Sequence, residues 1–160
     1  MENMESKSEK MTGTAYQKFG VTMAISFIIM YGIMFLNVSE TNHIYLSLTR
    51  TYMTLLMIST MAIVMLLMMG KMYTNKKINS FIIIVSVLVF GLVFTALRTQ
   101  TPVGDEQYMK AMIPHHSSAI MTSENANIQD PELRKLADDI IDAQKREIAQ
   151  MKAILDRLDR

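Results

Sequence analysis

Three stretches of the chain, Phe19 to Val38, Thr51 to Met69 and Ile78 to Leu97, contain no charged side chain. Each is about 20 residues long, which at about 1.5 Å per residue reaches roughly 30 Å, the thickness of a bilayer core. A single charge at a span centre costs about 2.5 to 3.5 kcal/mol, so three charge-free windows predict three membrane-crossing helices. After Leu97 the pattern changes. Thr101-Pro102-Val103-Gly104 reads as a short linker, and Asp105 can cap a helix running to about Asn127. Ile128-Gln129 makes a turn. Asp130-Pro131-Glu132 then supplies an N-cap, a proline at the first helical position and an acid in the first turn. The helix that follows carries Ala137, Ile141, Ile148, Leu155 and Leu158 on one stripe, with Gln144 and Met151 at the same four-three spacing. The expected fold class is therefore all-α: a segment 1–18, a three-span membrane domain 19–98, and an extracytoplasmic two-helix hairpin 99–160. Two helices of roughly 23 and 29 residues cannot cover both of their apolar stripes alone, so a homodimer is expected. Contact with the lipid surface is the other way to cover Ile141, Ile148 and Leu155.

Charge gives the orientation. Lys7, Lys10 and Lys18 precede the first span, and Lys71, Lys76 and Lys77 fill the loop between the second and third. Both segments are expected in the cytoplasm. The loop Ser39 to Arg50 has one cation, Arg50, and the segment after the third span begins with Arg98, so these are expected outside. No small-residue cleavage site follows the first apolar run, which reads as an anchor in the cytoplasmic membrane and not as a signal peptide. The formal net charge of +1 conceals a split, because residues 1–98 carry 8 Lys/Arg against 4 Asp/Glu and residues 99–160 carry 8 against 11. The basic residues are neither clustered with aromatics nor set on one helix face, so nothing points to nucleic acid. With 160 residues a large multidomain enzyme is excluded, and with Cys 0 so are thiolate zinc sites, iron–sulfur clusters and cysteine nucleophiles.

Methionine is the unusual component, with 17 residues. In the second span Met53, Met57, Met61, Met65, Met68 and Met72 fall within roughly 120° of one helix face, leaving out Met69. Met23, Met30 and Met34 align in the first span. Flexible apolar packing accounts for such rows. So does a Cu(I) path or relay, since thioethers are soft ligands and a repeat of four sets successive sulfurs one turn apart. Three-span copper transporters of eukaryotes share a Met-x-x-x-Met in their second span, though with the opposite N-terminal orientation.

The first hairpin helix contains Met109-Lys110-Ala111-Met112-Ile113-Pro114-His115-His116, in which Met109, Met112 and His116 share a face. Pro114 removes one backbone donor. Gln144, Glu147 and Met151 share a face of the second helix and can come opposite the His-His segment by antiparallel pairing. Met-Ile-Pro-His-His at 112 to 116, Ala-Ile at 119 and 120, and Gln144-x-x-Glu147-Ile148-x-x-Met151 closely resemble the family of unknown function numbered 305, over about residues 105–156. The resemblance implies a ferritin-like hairpin, exported or membrane-anchored and often linked to copper handling, and the three-span anchor looks like that of its membrane-bound branch. It carries over Met112, His115, His116, Gln144, Glu147 and Met151. One departure is that Thr122 stands where the family commonly has Met, with Met121 one place earlier.

A Met/His set without Cys suits Cu(I). The expected ligands are Met112 and His116, with His115 and Met151 as additional ligands, Glu147 orienting a histidine through its ring N–H, Gln144 behind them, and Met109 standing in when the site is exposed. The competing reading is a polar layer that fixes helix register. A di-iron centre needs Glu-x-x-His motifs that the hairpin lacks, and no nucleophile–base pair stands out, so a binding protein is expected and not an enzyme. Copper sequestration or resistance, with a copper-handling protein as partner, leads. Cu(I) transport along Met53, Met57, Met61 and Met65, and a structural membrane adaptor without metal, are the alternatives.

Overall fold

The computed structural model describes residues 2–158, with side chains from residue 13. Among them are five α-helices and no strand: α1 (Glu2–Ile33), α2 (Leu48–Met68), α3 (Lys76–Thr99), α4 (Asp105–Asn125) and α5 (Pro131–Leu158), with one turn of 3-10 helix at Thr41–His43 before α2. Two helices, α2 and α3, are long and apolar enough to cross a membrane. The expected first span is not among them. Its charge-free window ran to Val38, whereas α1 stops at Ile33 and the chain continues in turns. That leaves about 15 uncharged helical residues, or roughly 22 Å, which is short for a bilayer core. Lys7 and Lys10 lie outside the residues whose side chains are described.

The chain divides into two compact units. One holds the chain up to Tyr31 together with Tyr52–Thr99, and the other holds Gly32–Thr51 together with the chain from Gln100 onward. The loop before α2 thus belongs to the same unit as the hairpin.

In the first unit Phe19 of α1, Ala62 and Leu66 of α2, and Tyr73 in the turn after α2 form a small core. Tyr73 meets Phe19 edge-on at 5.5 Å. Tyr16 donates its hydroxyl to Asn79 Oδ1 (2.6 Å) and accepts the Asn75 N–H (3.2 Å), which locks this turn. Asn75 starts α3 by accepting the N–H groups of Lys77 and Ile78 on its side-chain oxygen, satisfying two of the donors that a helix N-terminus leaves open. Hydroxyl side chains hold the buried positions that remain, Thr54 and Ser59 on α2 and Ser86 on α3.

In the second unit α4 and α5 pair as an antiparallel hairpin, with the α5 start built as the local chemistry requires: Asp130 Oδ1 accepts the Leu133 N–H at 2.7 Å. Its core is Met109, Ile113 and Ile120 from α4 against Ile141, Ile148 and Leu155 from α5, with Tyr45 of the loop packed onto it. The α5 residues expected to need a second copy or a lipid surface are therefore buried within one chain. The loop supplies the missing cover. Asn37 donates to Ser118 Oγ (2.8 Å), the Ser39 N–H to Ser117 Oγ (2.8 Å), the Leu48 N–H to Gln107 Oε1 (2.9 Å) and Lys152 Nζ to Asn42 Oδ1 (3.0 Å).

Candidate functional site

Three consecutive residues of α4 reach three different partners, because each step along a helix turns the side chain by about 100°. His116 faces α5, where its Nε2 lies 2.7 Å from Glu147 Oε2. Ser117 and Ser118 face the loop. The core stripe of α4 runs between these two directions, so the loop covers one side of the hairpin and the His116–Glu147 pair sits on the other. Met112 precedes His116 by four residues and shares its side of α4. On α5 the same side carries Leu133, Leu136, Ile140, Gln144, Glu147 and Met151, which recur at three- and four-residue spacing.

The pair is set in partly dry surroundings. The His116 side chain is 12% exposed, and its Nδ1 is buried without a hydrogen-bond partner. A neutral imidazole that gives its Nε2 proton to a carboxylate keeps an Nδ1 lone pair, a free donor for a soft cation. His115, whose ring centroid lies 6.1 Å from that of His116, is exposed. Pro114, within α4, is buried. Met112 and Gln144 are half-buried. Met151 is half-buried and packs on the core. Met109 is only 5% exposed, inside the core beside Ile113. Its place is that of a packing side chain, which does not match a reserve ligand for an exposed site. Among the described residues no three His, Asp or Glu side chains gather as a metal site.

The third histidine, His43, lies 74 positions before Ser117 in sequence. Its Nδ1 sits 2.9 Å from Ser117 Oγ, and its Nε2 is 4.0 Å from Glu40 Oε2. Burial holds its pKa below the ordinary imidazole value of 6.5, the nearby Lys152 pushes it the same way, and Glu40 opposes both. The neutral ring then accepts the Ser117 hydroxyl proton, while Ser117 accepts from the Ser39 backbone N–H and its oxygen meets Ser39 Oγ at 3.0 Å. Every lone pair and proton of this buried Ser has a use. The sequence offers a faint signal for it in the two adjacent serines that follow the His-His pair.

The methionine row of α2 runs beside the buried stripe of that helix and not along it. Thr54, Ser59, Ala62 and Leu66 are buried, whereas Met53, Met57 and Met68 are exposed and Met61 and Met65 half-buried. Met65 Sδ meets the Tyr73 hydroxyl at 3.6 Å. Met72 lies beyond the end of α2, so it drops out of the expected helical row.

Residues 93–156 match the family described as a domain of unknown function, DUF305. The chain is also 37% identical over 115 residues to the protein named "Uncharacterized protein L153" of Acanthamoeba polyphaga mimivirus, a match that covers 71% of this chain and 74% of that one. It extends well beyond the hairpin. No solved structure matches the chain. With the His-His helix, its Glu147 partner and this relative in hand, the chain belongs to the DUF305 family.

Proposed function

We propose that this chain is a membrane-anchored protein whose hairpin binds a soft metal ion, Cu(I) foremost, for sequestration or resistance and not for catalysis. The observation that carries the reading is the His116 ring, held through Nε2 by Glu147 with Nδ1 buried and unpartnered. Histidines that bind metals commonly donate their second ring nitrogen to a carboxylate, which fixes the tautomer and sharpens the lone pair of the first. His116 and Met112 would hold the ion, with His115 and Met151 as further donors and Gln144 beside them. A thioether–imidazole set without thiols favours Cu(I) over zinc. Anchorage is through α2 and α3, with Lys71, Lys76 and Lys77 on the cytoplasmic side and the hairpin outside the cytoplasmic membrane. A second copy covers the open side of the hairpin, where Tyr108, Leu133, Leu136 and Ile140 are exposed, and brings a second donor set to it. Storage is favoured over a relay along α2 because Met53 and Met57 face outward from their own unit.

The test is a Cu(I) titration of the full chain in detergent, compared with the double variant His116→Ala, Met112→Leu. Affinity should fall sharply while helicity is retained. Unchanged affinity together with a large loss of metal-free stability would replace the metal reading by the register-fixing or adaptor one. For orientation, a reporter fused after Arg160 is expected to be active only outside the cytoplasm. Activity inside would remove the proposed location.

A further inference from the structure

The loop that completes the hairpin unit inverts the usual rule of exposure. Ile44 has extended backbone (φ −82°, ψ 110°), and from His43 to Ser47 buried and exposed side chains alternate, as they do along an extended chain. The side turned to the hairpin carries His43, Tyr45 and Ser47. His43 bonds Ser117, Tyr45 packs on the hairpin core, and Ser47 Oγ accepts the Arg50 N–H (3.4 Å). The opposite side carries Ile44 and Leu46, the latter 70% exposed. An extended segment with one face in water turns its aliphatic side chains inward and its polar ones outward. Here the polar side chains are inside, each with partners, and the aliphatic ones are outside.

Two neighbours continue the pattern. Leu36, 81% exposed, lies in the turn after α1, the helix on which Val21, Ile25, Ile29 and Ile33, spaced four apart, are exposed. Arg50 lays its guanidinium over the Phe35 ring, 4.3 Å from the centroid, and donates to the Met34 carbonyl, which lies just past the end of α1. An arginine lying on an aromatic ring next to aliphatic side chains is the arrangement that suits a membrane–water boundary, where the stem stays in the apolar layer and the charge reaches the headgroups.

We propose that Leu36, Ile44 and Leu46 form a foot that inserts at the boundary between lipid headgroups and acyl chains, with Arg50 at the level of the phosphates, so that the hairpin is seated on the bilayer. The inference rests on the reading of α2 as a membrane helix. Leu46 lies two positions before Leu48, where α2 begins. Two residues of extended chain span at most about 7 Å, which keeps this side chain close to the surface where α2 enters. Lipid is the occupant that continuity favours, since Leu46 stands two residues before α2, one of the two helices long and apolar enough to cross a membrane.

The chain contains no tryptophan, so one introduced indole reports alone. Leu46→Trp in the full chain, reconstituted in phosphatidylcholine vesicles brominated near the carbonyl or deep in the acyl chain, should emit in the blue and be quenched most by the shallow label. Arg146→Trp, at an exposed position of α5 away from the side of Leu136 and Ile140, should respond to aqueous iodide and to neither lipid label. Val64→Trp on α2 checks the underlying reading, with the deep label expected to quench it. If position 64 is quenched and position 46 is reached only by iodide, the foot is overturned and the span stands. If position 46 is shielded from iodide and from both lipid labels, a protein surface covers it and the lipid proposal is wrong. If position 64 escapes both lipid labels, the span itself fails and the foot falls with it.

Discussion

The two units of this chain differ in what they leave exposed. In the unit of α1, α2 and α3, the buried positions include Thr54, Ser59 and Ser86, while Ile84, Leu88, Phe90 and Leu92 are exposed. Only 6% of the most apolar stretch of α3 is buried. In the hairpin unit the buried positions are Ile113, Ile120, Ile148 and Leu155, and the acids and lysines of α5 are outside. The second arrangement is what water selects, because burying aliphatic surface is worth roughly 25 cal/mol per Å². The first owes less to that term, since beside Phe19, Ala62, Leu66 and Tyr73 its buried side chains carry hydroxyls. Apolar side chains lie inside the hairpin unit and are mostly unburied on α2 and α3. The loop at 43–47 belongs to the hairpin unit, yet follows the rule of the other.

The comparison breaks most clearly at a core aliphatic. Ile113→Ala, at a fully buried position, should destabilise the hairpin unit by about 2 to 5 kcal/mol, whereas Val87→Ala on the exposed face of α3 should change stability by no more than about 0.5 kcal/mol. Amide exchange of α4 and α3 in nanodiscs measures both. Equal effects would mean that the hydrophobic term operates alike in the two units.

A hydroxyl sharpens the contrast at a smaller scale. Ser117→Ala leaves the Ser39 N–H and the His43 ring without their partner, a loss of about 1 to 3 kcal/mol. Ser59→Ala, whose hydroxyl donates to its own helix at Leu56 O (2.9 Å), should cost under about 0.5 kcal/mol. Exchange protection at residues 39–47 should collapse in the first variant only.

Acid gives the smallest effect, and it acts through His43 in the hairpin unit. The His43 pKa is lower in the fold than the ordinary 6.5. Between that value and the folded one the unfolded chain binds more protons, so the stability due to this group is full above 6.5 and declines as pH falls through the window below it. His43→Gln should flatten this part of the pH dependence. An unchanged slope would show that His43 does not carry it.

Much of the fold was legible because its determinants are local. Asp130, Pro131 and Glu132 mark the start of α5 through groups that lie next to one another, and the absence of charge marks α2 and α3 whatever surrounds them. The meeting of His116 with Glu147 was within reach of helical periodicity plus antiparallel pairing, since both lie on faces that the sequence defines. The end of α1 was not. Hydropathy continues through Met34, Phe35 and Leu36 with no change, while the helix stops at Ile33 and Arg50, brought from the start of α2, takes the Met34 carbonyl.

Spacing, caps and charge, which act within a few residues, were enough to predict α2 to α5 and which side of α4 and α5 carries sulfur, imidazole and carboxylate. Packing across the chain alone set Met109 in the core, left Met53, Met57 and Met68 of α2 exposed, and closed His43 and Ser39 over Ser117. The rotation of a helix against its neighbour, and the docking of a loop 74 residues away in sequence, depend on which surfaces fill space together. No single stretch of sequence contains that information.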